Sequence, residues 1–189
     1  MRVQHDSPAS SLPQQSEAER NKEIVRRHIL ESWNQGSTET VAETLANEFH
    51  LHDPVFPNLP PGAQSARNHI QACRRAFPDL TLTIGDTIAE GNEVVVHWSA
   101  RGTHKGDFLG MHPTNRPATI TGTSIYHLEG NRIVEEWAHW NLMTMIEQLG
   151  PSQQQQSSAP ASSARKPSAR SLPKGNSRPH SRSTRSSRP

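Results

Sequence analysis

Histidine is the residue type in this sequence that offers the widest range of chemistry. Eleven histidines occur among 189 residues, and imidazole both transfers protons near neutral pH and binds metal ions. His50 and His52 lie one residue apart and precede Asp53, so on a strand the two imidazoles would share a face. A catalytic zinc site usually has three protein ligands, and the sequence contains no HExxH or CxxC pattern. We therefore predict no metal site and interpret this cluster as polar groups at the rim of a pocket.

The other candidate histidines are spread over predicted strands and loops rather than clustered. For any one of His97, His104, His112, His127 and His139, a hydrogen-bonded position in a pocket wall is the leading interpretation, and a catalytic role is the alternative. Four tryptophans and one tyrosine indicate an aromatic pocket as readily as an ordinary core. We expect the substrate-binding side chains to be a set of aromatic, histidine and acidic residues: Trp33, His52, Asp53, Trp98, Trp137 and His139.

Nucleophilic catalysis and phosphate binding have little support in the sequence. Cys73 is the only cysteine and lies on the apolar stripe of a predicted helix, where a buried thiol is usually unreactive. No Gly-x-Ser-x-Gly elbow occurs, and the glycines from Gly102 to Gly110 lack the Lys-Ser/Thr ending of a phosphate-binding loop. Proton transfer inside an enclosed pocket is the remaining enzymatic option.

Helices are predicted at the start of the chain and again before the first long strand. Ser16 is predicted to cap a helix together with Glu19, and Gly36 ends that helix. Ser37 then caps a shorter helix that includes Leu45. A third helix is predicted from about Ser65 to Pro78, after the prolines at 54, 57, 60 and 61.

Alternating apolar residues predict strands from Leu80 onward, with turns at 91–92 and 130–131 and a closing helix before Gly150. In the last strand, strict alternation would place Ile133, Trp137 and His139 on one face and Glu136 on the other. Short connections favour hairpins. We therefore predict an α+β domain in which a cone-shaped, curved antiparallel sheet wraps around the N-terminal helices and leaves a cavity.

Charge divides the chain sharply. All 18 acidic residues and 12 of the 20 Lys and Arg lie in residues 1–150, giving −6, whereas residues 151–189 carry +8. We predict a disordered N-terminal extension at 1–16, a domain at 17–150 and a disordered basic tail at 151–189. The tail is interpreted as solubilising, with weak contact to nucleic acid or an acidic protein as the alternative. The single cysteine and the lack of a long apolar run predict a cytoplasmic protein without membrane contact.

Several short motifs, taken in order, resemble the SnoaL-like polyketide cyclase family of the nuclear-transport-factor-two-like superfamily. They lie within residues 21–150 and are Phe77-Pro78-Asp79-Leu80, Gly91-Asn92, Gly102-Thr103-His104, Ile133-Val134-Glu135-Glu136-Trp137 and Gln148-Leu149-Gly150. The resemblance implies a cone-shaped α+β barrel that often forms oligomers, here a homodimer. It also implies that a polyketide methyl ester is closed into a ring by intramolecular aldol condensation, without metal or cofactor.

The resemblance also implies a catalytic position. In this family the general acid/base is an Asp four residues after the Trp of the last strand, and Asn141 occupies that position here. An amide cannot accept the proton, although it can hydrogen-bond a carbonyl or an enolate. The predicted catalytic set is therefore Asn141 with His104 or His127 as the base, and His139 or the His52–Asp53 pair are alternatives.

Three interpretations of the function follow. The first is an ester cyclase, or a related lyase or isomerase, that acts on a polyketide-like carbonyl compound. The second is a small-molecule-binding protein of the same fold without catalysis. The third is an interaction protein that acts through its basic tail and uses the domain to dimerise.

Overall fold

A computed structural model describes residues 15–150, and both segments predicted to be disordered lie essentially outside this range. The chain forms, in order, α1 (Glu17–Arg27), a π-helical continuation (His28–Asn34), α2 (Thr38–Thr44), β1 (Leu45–His52), α3 (Ala63–Ala76), β2 (Thr81–Glu90), β3 (Glu93–Thr103), β4 (Pro117–Glu129), β5 (Arg132–Trp140) and α4 (Leu142–Leu149). In the part of the chain described, no helix is long and apolar enough to cross a membrane.

Both predicted caps of the first two helices are present. The Ser16 hydroxyl accepts the backbone N–H of Glu19 at 3.2 Å, and the Ser37 hydroxyl accepts that of Thr40 at 3.1 Å. The Glu19 carboxylate instead pairs with Lys22 at 2.9 Å, so the reciprocal half of the predicted capping box is replaced by an ion pair. The caps satisfy backbone donors that a helix leaves without partners.

The boundaries of two elements differ from the prediction. Leu45 was predicted within the second helix but is the first residue of β1, where it is buried and pairs with Ile133. Long-range pairing therefore overrides helical propensity at this residue. Helix α3 begins at Ala63 rather than Ser65, immediately after Gly62, whose φ of +112° ends the proline loop.

The predicted α+β class is confirmed, but the sheet is mixed rather than wholly antiparallel. Its order is β1-β5-β4-β3-β2, and β1 runs parallel to β5 while all other neighbours are antiparallel. Hairpin connections require antiparallel neighbours, as predicted for β2 to β5. Strand β1 joins β5 without a hairpin, because α3 and three strands lie between them in the chain, and this long connection allows the parallel direction.

Strand β5 contains a register shift that reverses the predicted alternation. Leu128 pairs with Ile133, whereas the preceding His127 pairs with Glu135, so β5 carries one extra residue at this point. Ile133 and Glu136 are consequently both buried, although strict alternation predicted opposite faces for them. Such a bulge moves every later side chain of the strand to the other face.

The principal core lies between the helices and the inner face of the sheet. Val25 and Ile29 from the first helical segment, with Phe49 and Ile70, pack against Val96 and other inner-face residues of β3 to β5. A smaller cluster under α4 contains Met145 and Leu149. The helices cover only part of this inner face, and the remaining concavity is the region in which a ligand would be held.

His28 gives a direct test of this packing. Its side chain is buried, its Nδ1 lies 3.0 Å from the Thr44 hydroxyl, and burial lowers its pKa to about 4. Below pH 6.5 the unfolded chain binds a proton on His28 that the folded chain does not bind until about pH 4. The free energy of unfolding should therefore fall as the pH drops through this window, by about 3 kcal/mol from this residue alone.

Urea unfolding of the wild type and His28→Gln between pH 7 and pH 4 should reveal a smaller loss of stability in the variant. His112→Gln is the matched control, because His112 is exposed. Equal pH dependence of the wild type and His28→Gln would contradict the assignment.

Candidate active site

A cavity of about 130 Å³ lies between the inner face of the sheet, the π-helical segment and α3. Its walls are mainly apolar and include six aromatic side chains from separate parts of the chain: Trp33, Phe56, Phe77, Trp98, Phe108 and Trp140. A cavity of roughly 150 Å³ holds a benzene ring in other proteins. The cavity is therefore suited to an apolar, ring-sized group.

Glu136 is the most unusual polar residue of this cavity. It lies on β5, lines the cavity and is only 7% exposed. The Ser124 hydroxyl donates to its Oε1 at 2.9 Å, and the Trp98 indole N–H donates to the Ser124 hydroxyl at 3.0 Å. Gly122 leaves room for the Trp98 ring, since a Cβ at this position would collide with the indole.

The environment of Glu136 brings its ionisation into the neutral range. Burial raises the pKa of this carboxyl to about 7, and the negative charge of Asp53 adds to the increase. Hydrogen bonds from Ser124 and Tyr126 oppose the increase. Burial also raises the pKa of Tyr126 well above its usual range, so its phenol remains a protonated donor. A carboxyl with a pKa near 7 both accepts and returns protons at neutral pH.

Asp53 is a second buried carboxylate in the cavity wall. It is 7% exposed, and its Oδ1 accepts the backbone N–H of Val55 at 2.7 Å. Its Oδ2 accepts the indole N–H of Trp140 at 2.9 Å. These two donors fix the orientation of the carboxylate in the cavity wall. Within residues 15–150, neither Asp53 nor Glu136 forms a salt bridge.

His69 and Cys73 contribute the α3 side of the cavity. The His69 ring contacts Phe56 at 4.4 Å between centroids and Trp33 at 5.9 Å, and its Nε2 lies 3.8 Å from the Cys73 sulfur. Burial lowers the pKa of His69, which keeps the imidazole neutral. Burial raises the pKa of Cys73 to about 12, so the thiol is not ionised and is a poor nucleophile.

Three of the residues predicted for the site line the cavity, namely Trp33, Asp53 and Trp98. His52 and Trp137 instead stack on each other on the outer face of the sheet, with ring centroids 4.8 Å apart. His139 is exposed in the same row as His97 and Thr123. The outward direction of Trp137 and His139 is a consequence of the β5 bulge.

The three residues predicted to be catalytic lie outside the cavity lining. Asn141 is exposed and caps α4, with its side-chain oxygen accepting the Thr144 N–H at 3.2 Å. His127 lies on the outer face with its Nε2 3.1 Å from the Asn92 amide. His104 is completely buried against Phe77 in the loop after β3. The catalytic roles assigned to these residues stay predictions.

Sequence reasoning did not select Glu136, His69 or Tyr126. Strict alternation places Glu136 and Trp137 on opposite faces of β5. It does not say which of the two faces lines the cavity, because the bulge decides that. His69 belongs to the face of α3 next to Cys73, four residues away, and this spacing was a usable signal.

Among residues 15–150, no group of three or more His, Cys, Asp and Glu side chains is arranged to hold a metal ion.

Comparison with known proteins agrees with this architecture. The model of the family described as SnoaL-like polyketide cyclase matches residues 23–149. IdmH from Streptomyces antibioticus, a candidate polyketide cyclase, is 31% identical, with a TM-score of 0.60 and coverage of 69% of this chain and 98% of IdmH. No curated protein matches the chain.

A candidate polyketide cyclase from Acidithiobacillus ferrooxidans is 27% identical, with a TM-score of 0.63 and coverage of 71% of this chain and 97% of that one. TsrD from Streptomyces laurentii, at 22% identity, shares the fold with a TM-score of 0.66 and coverage of 72% and 98% of the two chains. The matched family model spans the helices and the whole sheet, and the chain therefore belongs to the SnoaL-like polyketide cyclase family, with the nuclear-transport-factor-two-like fold.

Proposed function

We propose that the protein closes a ring in a polyketide-like carbonyl compound by acid/base catalysis within the cavity, and that Glu136 is the acid/base. The observation that carries this proposal is a buried carboxyl whose pKa is about 7, set in an aromatic cavity. Family membership supplies the reaction class, and the residues of this chain suggest how it is performed.

The proposed reaction is an intramolecular aldol addition, which needs no oxidant or reductant. The Glu136 carboxylate removes a proton from a carbon flanked by two carbonyl groups, which leaves an enolate. The enolate carbon attacks a second carbonyl carbon of the same molecule, so a C–C bond forms and the carbonyl π electrons move to oxygen. The protonated Glu136 then returns its proton to this alkoxide. Base and acid are the same group, which requires a pKa near the working pH.

The neighbours of Glu136 maintain this behaviour. Ser124 orients the carboxyl through its 2.9 Å hydrogen bond, and Trp98 orients Ser124 in turn. Tyr126 supplies a protonated hydroxyl beside the carboxyl. Asp53 raises the pKa of Glu136 by its charge, so it acts as a positioning and tuning residue rather than as the base. The aromatic walls keep water away from the enolate.

A small-molecule-binding protein without catalysis is the second candidate. The observation that favours it is the placement of Asn141, because the side chain at the family's acid/base position caps a helix instead of entering the cavity. In that case Glu136 would bind a ligand without transferring protons. Turnover measurements separate the two candidates.

The acid/base role of Glu136 predicts a loss of turnover in Glu136→Gln. With open-chain polyketide methyl esters as substrates, and ring-closed product measured by chromatography, kcat should fall by about 100-fold or more. Glu135→Gln is the matched control. The Glu135 carboxylate lies on the outer face of the sheet, 3.5 Å from His52, so the activity of this variant should equal that of the wild type. Full activity in Glu136→Gln would exclude Glu136 as the base.

The position of Asn141 predicts that Asn141→Asp changes turnover by less than about threefold. Aspartate also accepts the Thr144 N–H, so the cap should be kept, and the new carboxylate would lie outside the cavity. The same ester panel and chromatography provide the measurement. Strong activation by this substitution would instead place the acid/base function at residue 141.

The pKa of Glu136 predicts the pH dependence of catalysis. The carboxylate form is the base, so kcat/KM should rise with pH and reach half its maximum near pH 7 rather than near pH 4.5. Asp53→Asn removes a like charge that disfavours ionisation of Glu136, so the rise should shift to lower pH. A rise centred near pH 4.5 in the wild type, or an unchanged midpoint in Asp53→Asn, would contradict this electrostatic account.

A further inference from the structure

Within the part of the chain that the structure describes, the acidic side chains of the cavity have no cationic partner. Asp53 and Glu136 both line the cavity and both are 7% exposed, yet neither has a salt-bridge partner within residues 15–150. His69 lies in the same wall, but burial lowers its pKa and keeps it neutral near pH 7. Buried carboxylates without a nearby cation are costly, which indicates that a cation would be bound favourably.

Among residues 15–150, Arg101 is the one Lys or Arg residue that lines the cavity, and it forms no salt bridge with these carboxylates. Arg101 is exposed and pairs with Thr119 where β3 lies beside β4. It is four residues after His97 on the same strand, so the two side chains share the outer face of the sheet. Its side chain therefore projects away from the inner face on which Trp98 lies. The acidic side chains that line the otherwise mainly apolar cavity are Asp53 and Glu136.

The carboxylates lie beside indole rings. The Asp53 carboxylate accepts the Trp140 N–H directly, and Glu136 is connected to the Trp98 N–H through Ser124. These indole N–H groups hold the carboxylates in place and carry no full charge, so the negative charge of the two side chains is not neutralised by them. A ligand that places a positive charge near these carboxylates would thus gain ionic attraction, whereas an anion would be repelled.

We propose that the cavity binds an organic ammonium group attached to an apolar ring, with Asp53 as its principal ionic partner and the indoles of Trp98 and Trp140 beside it. The inference rests on the cavity and its charges and does not require that ring closure occurs. It assigns the ligand class as amine-bearing and excludes free carboxylates. If the protein is a cyclase, its substrate or product then carries a basic nitrogen.

Three ring compounds of nearly equal size test the proposal. These are phenethylamine, which is cationic at neutral pH, 2-phenylethanol, which is neutral, and phenylacetate, which is anionic. Isothermal calorimetry of the full chain at pH 8 should show phenethylamine binding at least 10-fold more tightly than 2-phenylethanol, and phenylacetate binding more weakly than both.

Variants locate the effect in the cavity. Asp53→Asn keeps a side chain that can accept hydrogen bonds but lacks the charge, so the preference for phenethylamine over 2-phenylethanol should fall to about threefold or less. Glu135→Gln removes an outer-face carboxylate and should leave the preference unchanged. Circular dichroism verifies that both variants are folded.

Several results would overturn the proposal. They are equal affinity for phenethylamine and 2-phenylethanol, tighter binding of phenylacetate, no binding of any probe, or an ammonium preference that survives in folded Asp53→Asn. Failure of ammonium binding is distinguishable from failure of the proposed cyclase function, because the calorimetry uses no reactive substrate and ring closure is measured separately on polyketide esters.

Discussion

The candidate site depends on the register of β5 against β4. One extra residue between Ile133 and Glu135 keeps Ile133 in the core and turns Glu136 toward the cavity. The same shift directs Trp137 and His139 outward and brings Ala138 and Trp140 into the cavity wall. Without it, the cavity would face a tryptophan and a histidine, and the acidic side chain would be in solvent. A local irregularity in backbone pairing thus determines which chemistry is enclosed.

A buried, partly ionised carboxyl opposes folding, and the surrounding structure offsets that cost only in part. Ser124 and Tyr126 stabilise the ionised form of Glu136, but burial and the charge of Asp53 outweigh them, so the pKa remains raised to about 7. In the unfolded chain this carboxyl would ionise near pH 4.5, and its native stability contribution therefore decreases as the pH rises through this interval. Groups held at such a cost are characteristic of functional sites.

The walls of the cavity are drawn from distant parts of the chain. The proline loop contributes Phe56, whose ring contacts both His69 on α3 and Phe108 in the loop between β3 and β4. Phe108 also packs on Phe77 at the end of α3, with ring centroids 5.3 Å apart. These edge-to-face contacts join two irregular loops to α3 and form part of the cavity wall. Loop positions of this kind are where relatives with one fold differ in ligand.

The class of fold, the approximate helices and strands, and the family could all be predicted from the amino-acid sequence. Helical spacing, capping serines and strand alternation are local signals, and a match over residues 23–149 agrees with them. Trp33, Asp53 and Trp98, which were selected by residue type, line the cavity, and their role in binding stays a prediction. The local signals failed at Leu45 and at the parallel pairing of β1, where contacts with a strand about 90 residues away decide the outcome.

The identity of the buried acidic residue and the charge of the cavity depend on how the strands pair in three dimensions. The residues Glu135-Glu136-Trp137 contain no local signal for the bulge that precedes them. The register of β5 is set by its pairing with β4 and by the burial of Ile133. The charge of Asp53 raises the pKa of Glu136, although the two residues are more than 80 positions apart in the chain. Sequence periodicity is a property of neighbours along the chain, whereas a site of this kind is a property of neighbours in space.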